Sequence, residues 1–111
     1  MDCIFCQIVN KKRKAEIIFE NNKVMVFEDI KPIAPVHLLI VPKEHIASIN
    51  DITSDQKELI GELFLAAKKM AGKKKIKQSG YRLIFNIGPD AGQTVDHLHL
   101  HLIGGKKLLW A

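Results

Sequence analysis

Three histidines alternate with leucines near the end of the chain, in the run 97–102. Successive side chains of a strand point to opposite faces, so an extended segment would place the imidazoles on one face and the leucines on the other. We therefore predict a strand over 96–103 that its leucines anchor in the core. A row of imidazoles adds no packing that leucine or valine would not provide better, which favours a shared chemical role.

The histidine row is compatible with metal binding and with covalent catalysis. His97 and His101 are four residues apart, which is ~13 Å along an extended chain, so these two cannot bind one zinc ion together. A neighbouring pair could do so, and at least one histidine would remain for another task. An imidazole on a rigid strand can act as a nucleophile, because the hydrogen bond at one ring nitrogen determines which nitrogen is able to attack.

A loop with little side-chain bulk comes directly before this row. Gly88, Gly92, Gln93 and Thr94 offer backbone and hydroxyl donors that could approach phosphate oxygens closely. The same glycine content is also typical of an ordinary turn. The position of the loop next to the histidines indicates that it binds phosphate.

Length and composition predict one compact domain over residues 1–111, with 47% hydrophobic and 26% charged residues. No stretch approaches the ~18 apolar residues of a membrane-spanning helix, and the first residues lack the order of a secretory signal, so we expect a cytoplasmic protein without membrane contact. A net charge of +5 favours anionic ligands. The basic clusters at 11–14 and 73–75 have no interleaved aromatic residues, so nucleic-acid binding is not expected.

The pattern of the remaining chain predicts an α+β domain built on an antiparallel sheet. Short apolar runs predict strands at 23–28, 36–41 and 81–86, in addition to the strand that carries the histidines. A helix is predicted to start at Thr53, whose capping-box spacing to Gln56 satisfies free backbone amides, and to end near Gly72 after one apolar stripe.

With its flanking Ile103, the histidine run resembles the signature of the histidine-triad (HIT) superfamily, His-φ-His-φ-His-φ-φ with φ apolar. Residues 27–37, 41–45, 92–94 and Asn86 are similar to blocks of its Hint branch, so the resemblance covers nearly the whole chain. It implies an α+β HIT-like fold with about five antiparallel strands, one long helix and a short N-terminal helix or turn. It also implies a homodimer that binds purine nucleotides and hydrolyses nucleoside 5′-phosphoramidates or related adenylates to release AMP.

The resemblance implies roles for individual residues. His99 would be the nucleophile that forms a nucleotidyl-histidine intermediate, and His101 would bind the α-phosphate beside it. Asp29 would hold the ribose hydroxyls, for which a carboxylate that accepts two hydrogen bonds is suited. The phosphate and leaving-group side would be formed by Gly92, Gln93, Thr94 and Asn86, with Thr94 also assisting catalysis. The base would be enclosed by Phe27, Ile30, Phe19 and Ile18, for which ordinary core packing is the alternative.

Cys3 and Cys6 have the short spacing that lets two thiolates bind one zinc ion, although a redox pair or adventitious spacing gives the same pattern. Several members of the superfamily combine such a pair with histidines at the positions of His45 and His97. The resemblance therefore implies a structural zinc held by these four side chains. His97 would then be a ligand rather than a catalyst.

Two other functions remain open for the same pocket. One is hydrolysis of dinucleoside polyphosphates, as in the Fhit-like branch, and the other is a non-catalytic purine nucleotide sensor or interaction module. The chain also departs from the family pattern, since Arg13 and Lys14 stand where Ile-Pro is common. Trp110 corresponds to a tryptophan that can reach the partner's active site in Hint proteins, with simple exposure as the alternative.

Overall fold

The computed structural model describes residues 3–110 and confirms the α+β class with a five-stranded antiparallel sheet. In chain order the helices and strands are α1 (Ile4–Val9), β1 (Ile17–Glu20), β2 (Val24–Glu28), β3 (Val36–Pro42), α2 (Lys57–Lys73), β4 (Tyr81–Ile84) and β5 (Leu100–Gly104). Single 3₁₀ turns lie at Ile49–Asp51, Ser54–Gln56 and Pro89–Ala91. Within the described part of the chain, no helix has both the length and the apolarity needed to cross a membrane.

The sheet has the strand order β1-β2-β3-β5-β4, so the strand at the end of the histidine motif is an interior strand. It pairs with β3 on one side, where Leu39 is opposite His101, and with β4 on the other, where Ile84 is opposite the same histidine. Pairing on both sides fixes the register and therefore the direction in which the His101 side chain points.

Each face of the sheet is covered by one of the two helices. The longer helix α2 buries its apolar stripe on one face, in a cluster of Leu63, Ala66, Ala67, Met70 and Ala71 with Val24, Val26, Leu38, Ile40, Leu98, Leu100 and Leu102. The short helix α1 covers part of the other face, where Phe5 and Ile8 pack with Met25, Phe27, Leu39 and Val41. The site described below lies on the α1 face.

The leucines of the motif are buried as predicted. Leu98 and Leu100 are 1% exposed and Leu102 is fully buried. Burying a leucine side chain contributes roughly 1.5–3 kcal/mol, so these three anchors hold the backbone that carries the histidines.

The predicted strand over 96–103 is wrong in its first half, because β5 begins only at Leu100. Residues 95–97 form a bend and 98–99 are irregular. The Leu98 amide donates to the carbonyl of Ile46 at 2.6 Å, outside the sheet. The His97 side chain turns toward α1. These contacts replace strand pairing, so the three histidines do not form one row on a regular strand.

The predicted helix is present, with small differences at both ends. Its capping residues act as expected, since the Thr53 amide donates to Oε1 of Gln56 at 2.9 Å. The first turn is a 3₁₀ turn, so α2 itself starts at Lys57, and it ends at Lys73, one residue beyond Gly72. The predicted strand at 81–86 is shorter than expected and ends at Ile84.

Candidate active site

A cavity of about 370 Å³ lies between α1, the end of β2 and the histidine motif. This volume is within the range of small-molecule sites. Its walls are mainly apolar and consist of Ile4, Phe5, Ile8, Ala15, Phe27, Ile30, Leu39 and Val95. Its polar and charged lining consists of Arg13, Lys14, Glu28, Asp29, Lys31, Thr94, His99 and His101. An apolar cleft with a few convergent polar groups at one end suits a ligand that has a flat ring and a polar tail.

His99 is held in one orientation by the backbone next to it. Its Nδ1 lies 2.7 Å from the carbonyl oxygen of His97, and since a carbonyl only accepts, Nδ1 must carry the proton. The lone pair therefore lies on Nε2. The ring is 7% exposed, and its centroid is 5.1 Å from that of Phe5 in an edge-on contact. Burial lowers the pKa of His99, and the His97 carbonyl opposes this shift in part.

His101 lies beside His99, with the two ring centroids 5.0 Å apart. Its Nδ1 is 2.9 Å from Nε2 of His37. Burial, followed by the neighbouring His99 and His37, lowers the pKa of His101 to about 4. The cavity therefore contains two neighbouring imidazoles that are neutral near pH 7.

His37 is a site residue to which the sequence reasoning gave no role. It lies on β3 on the same face as Leu39, is 7% exposed, and has its Nε2 3.4 Å from Oδ2 of Asp29. Burial lowers the pKa of His37, and the charge of Asp29 opposes this. The sequence did contain a sign of this position. His37 is a polar residue in an otherwise apolar strand, and it lies two residues from Leu39, so both side chains point to the same face.

Asp29 and Thr94 both line the cavity, as their predicted roles require. Asp29 directly follows β2, and its Oδ1 accepts from the amide of Lys31 at 2.8 Å, which sets the direction of the carboxylate. The other carboxylate oxygen, Oδ2, faces the histidines and lies 3.4 Å from Nε2 of His37.

The other predicted residues of the phosphate side, Asn86, Gly92 and Gln93, lie outside the lining of this cavity. The Gln93 amide is used within the loop itself. Its Oε1 accepts from the amide of Gly88 at 2.8 Å, and its Nε2 donates to the carbonyls of Ala47 and Val95 at 2.8 and 3.1 Å. Gln93 therefore shapes the loop from which Thr94 reaches the cavity.

Ile18 and Phe19 do not reach the cavity either, and pack against the α2 cluster on the opposite face. Pairing between β1 and β2 is shifted between Ile17 and Phe19, so Phe19 is opposite Val26 and turns toward α2. Phe27 and Ile30, the other two residues predicted to enclose a base, do line the cavity, and Ile4, Phe5 and Ile8 of α1 line it in place of Ile18 and Phe19. The sequence feature that could have indicated this apolar wall is the spacing of Ile4, Phe5 and Ile8, which places them close together on one side of a helix.

A second cluster joins α1 to the histidine motif. One possible ligand atom from each of Cys3, Cys6, His45 and His97 lies within 4.8 Å of the others. Nδ1 of His97 is 3.4 Å from Sγ of Cys3 and 3.5 Å from Sγ of Cys6, and Nδ1 of His45 is 3.2 Å from Sγ of Cys6. Tetrahedral zinc with ordinary bond lengths places sulfur and nitrogen ligands ~3.5 Å apart. The donor set and its spacing therefore fit zinc.

The surroundings of His97 favour the same use. The residue is fully buried, and its Nε2 donates to the carbonyl of Pro42 at 2.8 Å. This hydrogen bond leaves the lone pair on Nδ1, which faces the cysteines, and such a partner is typical of histidines that bind metals. Phe5 packs edge-on against both His97 and His99. Helix α1 therefore connects the cysteine and histidine cluster with the cavity.

Known sequences are similar to this chain over nearly its whole length. The profile of the family described as scavenger mRNA decapping enzyme C-term binding matches residues 2–108. An uncharacterized HIT-like protein of Buchnera aphidicola subsp. Acyrthosiphon pisum is 48% identical over 105 residues, which are 95% of this chain and 92% of that protein. Another, from Synechococcus elongatus, is 41% identical over 98% of this chain and 95% of its own.

Solved structures are similar in fold and in sequence. A HIT family hydrolase from Legionella pneumophila Philadelphia 1 has a TM-score of 0.97 and 45% identity, over 98% of this chain and 97% of that chain. A histidine triad nucleotide-binding protein from Candida albicans has a TM-score of 0.84 and 31% identity, over 99% of this chain and 85% of that chain.

The lowered pKa of His101 predicts that acid destabilises the fold. Between its ordinary value of 6.5 and its folded value of about 4, the unfolded chain binds a proton that the folded chain does not. Stability therefore falls as the pH drops below 6.5. In His101→Asn, the slope of the unfolding free energy against pH, between about pH 6 and 5, should decrease by ~1.4 kcal/mol per pH unit, which corresponds to the uptake of about one proton. Urea denaturation measures this slope, which the exposed-site variant Lys12→Asn should keep. An unchanged slope in His101→Asn would contradict the assignment.

Proposed function

The chain belongs to the histidine-triad (HIT) family, and we propose that it is a nucleotide-binding hydrolase. Its substrates would be purine nucleoside 5′-phosphoramidates or related adenylates, cleaved through a nucleotidyl-His99 intermediate. The observation that carries the proposal is the hydrogen bond from Nδ1 of His99 to the His97 carbonyl, which leaves an Nε2 lone pair at a cavity of nucleotide size. The names of the Legionella and Candida proteins, hydrolase and nucleotide-binding protein, support the same reading.

The ligand would lie along the cavity from its apolar end to the histidines. The purine would lie among the apolar side chains of α1 and β2, including Phe5 and Phe27. Asp29 would accept hydrogen bonds from the ribose, and Thr94 with His101 would donate to the α-phosphate. Donors already in place around a phosphate stabilise the charge that develops during transfer, and in a water-poor cavity this effect is strong.

The reaction would proceed in two displacements at phosphorus. Nε2 of His99 forms a bond to phosphorus, the phosphorus–nitrogen bond of the substrate breaks, and the amine leaves with a proton taken up from solvent. Water then attacks the phosphorus of nucleotidyl-His99 and loses a proton to solvent, the bond between phosphorus and Nε2 breaks, and AMP and the neutral imidazole are released. The lowered pKa of His99 favours the first step, because it keeps the attacking lone pair unprotonated at neutral pH.

Zinc would be held by Cys3, Cys6, His45 and His97 in a structural role. When bound, it would supply a crosslink between α1, the segment after β3 and the histidine motif, and no catalytic step is assigned to it. The protein part of this arrangement already directs the His97 carbonyl toward His99. Metal binding would therefore stabilise both the apolar wall of the cavity and the orientation of the nucleophile.

The basic residues that line the cavity favour the dinucleoside polyphosphate alternative. Arg13, Lys14 and Lys31 all line it, and cations at the edge of a cleft attract substrates with several phosphates. The guanidinium of Arg13 is oriented by a hydrogen bond to Oε1 of Gln7 at 3.2 Å. A third possibility, a non-catalytic nucleotide sensor, would need the cavity but not the free Nε2 of His99.

The role of His99 is tested by His99→Ala. We expect release of AMP from an adenosine phosphoramidate to fall by roughly 10³-fold or more, while AMP binding is retained. The exposed-site variant Lys106→Ala should keep full activity. Equal turnover in His99→Ala would remove this residue from its proposed role. Wild-type protein that binds AMP without any turnover would favour the sensor, and a higher kcat/KM for a dinucleoside polyphosphate would favour the alternative substrate.

The zinc proposal is tested by metal analysis of protein purified without added zinc. We expect about one zinc per chain, less in Cys3→Ser and Cys6→Ser, and a lower Tm after chelation, because the crosslink at α1 is lost. His37→Phe should keep the metal, since His37 belongs to a different cluster. A stoichiometry near zero in the wild type would reject the proposal.

We also propose that the protein is a homodimer, as the resemblance implies. The outer strand β4 ends the sheet. Tyr81 of β4 and Leu65 of α2 are exposed and line one groove, and the exposed Phe64 packs edge-on against Phe85, which follows β4 directly. Trp110 is 94% exposed and so is available to a second copy. Light scattering should give twice the mass of the chain, and Leu65→Asp should shift the mass toward that of one chain. A wild-type mass of one chain at micromolar concentration would contradict this.

A further inference from the structure

Arg13 is a cation in the wall of the cavity, and the proposed reaction steps give it no role. It stands at the first position of a pair where the family commonly has Ile-Pro, and it lines the cavity. This chain therefore places a group of hydrogen-bond donors where an apolar side chain is common. A ligand beside Arg13 meets polar contacts that isoleucine would not supply.

The segment that carries Arg13 connects the two elements proposed to enclose the purine. It follows α1, and its Glu16 carbonyl accepts from the amide of Glu28 at the end of β2, at 3.0 Å. Ala15, within the same segment, packs against the apolar cluster of α1 and β2. The groups proposed to hold the phosphate, Thr94 and His101, come from other parts of the chain. Arg13 is thus placed beside the purine rather than beside the phosphate.

A contact with α1 determines which part of the guanidinium is left for a ligand. Nε of Arg13 donates to Oε1 of Gln7 at 3.2 Å. The two terminal nitrogens, Nη1 and Nη2, remain, and together they form a planar pair of donors without any acceptor. Such a pair matches two acceptors that lie side by side.

The two common purines differ in what they offer to a pair of donors. Guanine has two adjacent acceptors on one edge, O6 and N7, and an arginine can donate to both at once. Adenine has the acceptor N7 next to the amino group N6, which is itself a donor. A guanidinium that faces adenine would therefore have one of its donors opposed by another donor.

We propose that Arg13 is a specificity-determining residue, which donates to O6 and N7 of the base and makes the cavity prefer 6-oxopurine nucleotides to adenine nucleotides. The inference rests on the proposed function and names the substrate class within it. Adenosine phosphoramidates remain substrates with a lower kcat/KM, because contacts to the ribose and the phosphate are the same for both purines.

Attraction of a polyphosphate is the competing role for the same residue. A positive charge attracts phosphates whatever its shape, so a lysine would serve equally well. Contact with two neighbouring acceptors instead requires the planar arrangement of the guanidinium. The hydrogen bond to Gln7, which orients that plane, favours recognition of a base edge.

The test compares the affinities of nucleoside monophosphates by isothermal titration calorimetry. We expect guanosine 5′-monophosphate (GMP) to bind roughly 5- to 10-fold more tightly than AMP, since one exposed bidentate contact lies at the low end of the discrimination known for such pairs. Inosine 5′-monophosphate has the same O6 and N7 and should bind like GMP. 7-Deaza-GMP keeps O6 but lacks the N7 acceptor, and it should bind more weakly than GMP.

Variants of Arg13 separate its shape from its charge. Arg13→Ile should bring the ratio of GMP to AMP affinity close to one, and Arg13→Lys, which keeps the charge without the planar pair, should do nearly the same. The control Lys12→Ile removes a neighbouring cation that lies outside the lining of this cavity and should keep the ratio. Both positions are exposed, so an unchanged Tm is expected in all three variants.

Equal wild-type affinities for GMP and AMP, or an unchanged ratio in Arg13→Ile, would overturn the proposal. A ratio that survives in Arg13→Lys would also overturn it, because the planar pair would then be unnecessary. Binding of neither nucleotide would contradict the proposed function together with this inference. Equal binding of both would contradict this inference alone, so the two failures are distinguishable without any measurement of turnover.

Discussion

The hydrogen bond from Nδ1 of His99 to the carbonyl of His97 is the interaction on which the site depends. It exists because residues 97–99 leave the regular strand, which frees this carbonyl from pairing in the sheet. His97 is held from its other side by the Pro42 carbonyl and by the cysteine and histidine cluster. The cysteine and histidine cluster and the nucleophile are therefore connected through His97. Its ring belongs to the cluster, and its backbone carbonyl orients His99.

Burial gives these histidines their chemistry. Desolvation lowers the pKa of His37, His97, His99 and His101, and each ring has a hydrogen-bond partner that selects one neutral form. Among residues 3–110, no buried side-chain nitrogen or oxygen lacks a partner. A polar cluster beneath a cavity is stable only under this condition, because an unpaired buried polar group is costly.

The sequence pattern predicted what depends on local periodicity. The class of fold, the capped helix and the burial of Leu98, Leu100 and Leu102 all follow from it. The start of β5 could not be predicted, because it depends on a contact with Ile46, which is distant in sequence. The same holds for the contact of His37 with His101, which requires the pairing of β3 with β5. The family resemblance implied that Ile18 encloses the base, whereas Ile18 packs on the α2 face next to an irregularity in strand pairing that the residue pattern does not reveal.

Hydrolysis through nucleotidyl-His99 requires two displacements at phosphorus, with His99 as the first attacking group. The stereochemical course of hydrolysis tests it most directly, with a substrate that is chiral at phosphorus, such as one diastereomer of an adenosine phosphoramidothioate hydrolysed in ¹⁸O-labelled water. Each displacement inverts the configuration, so a covalent intermediate gives overall retention, which is the result we predict. Overall inversion would mean that water attacks the substrate directly, and it would contradict the assignment of His99 as a nucleophile.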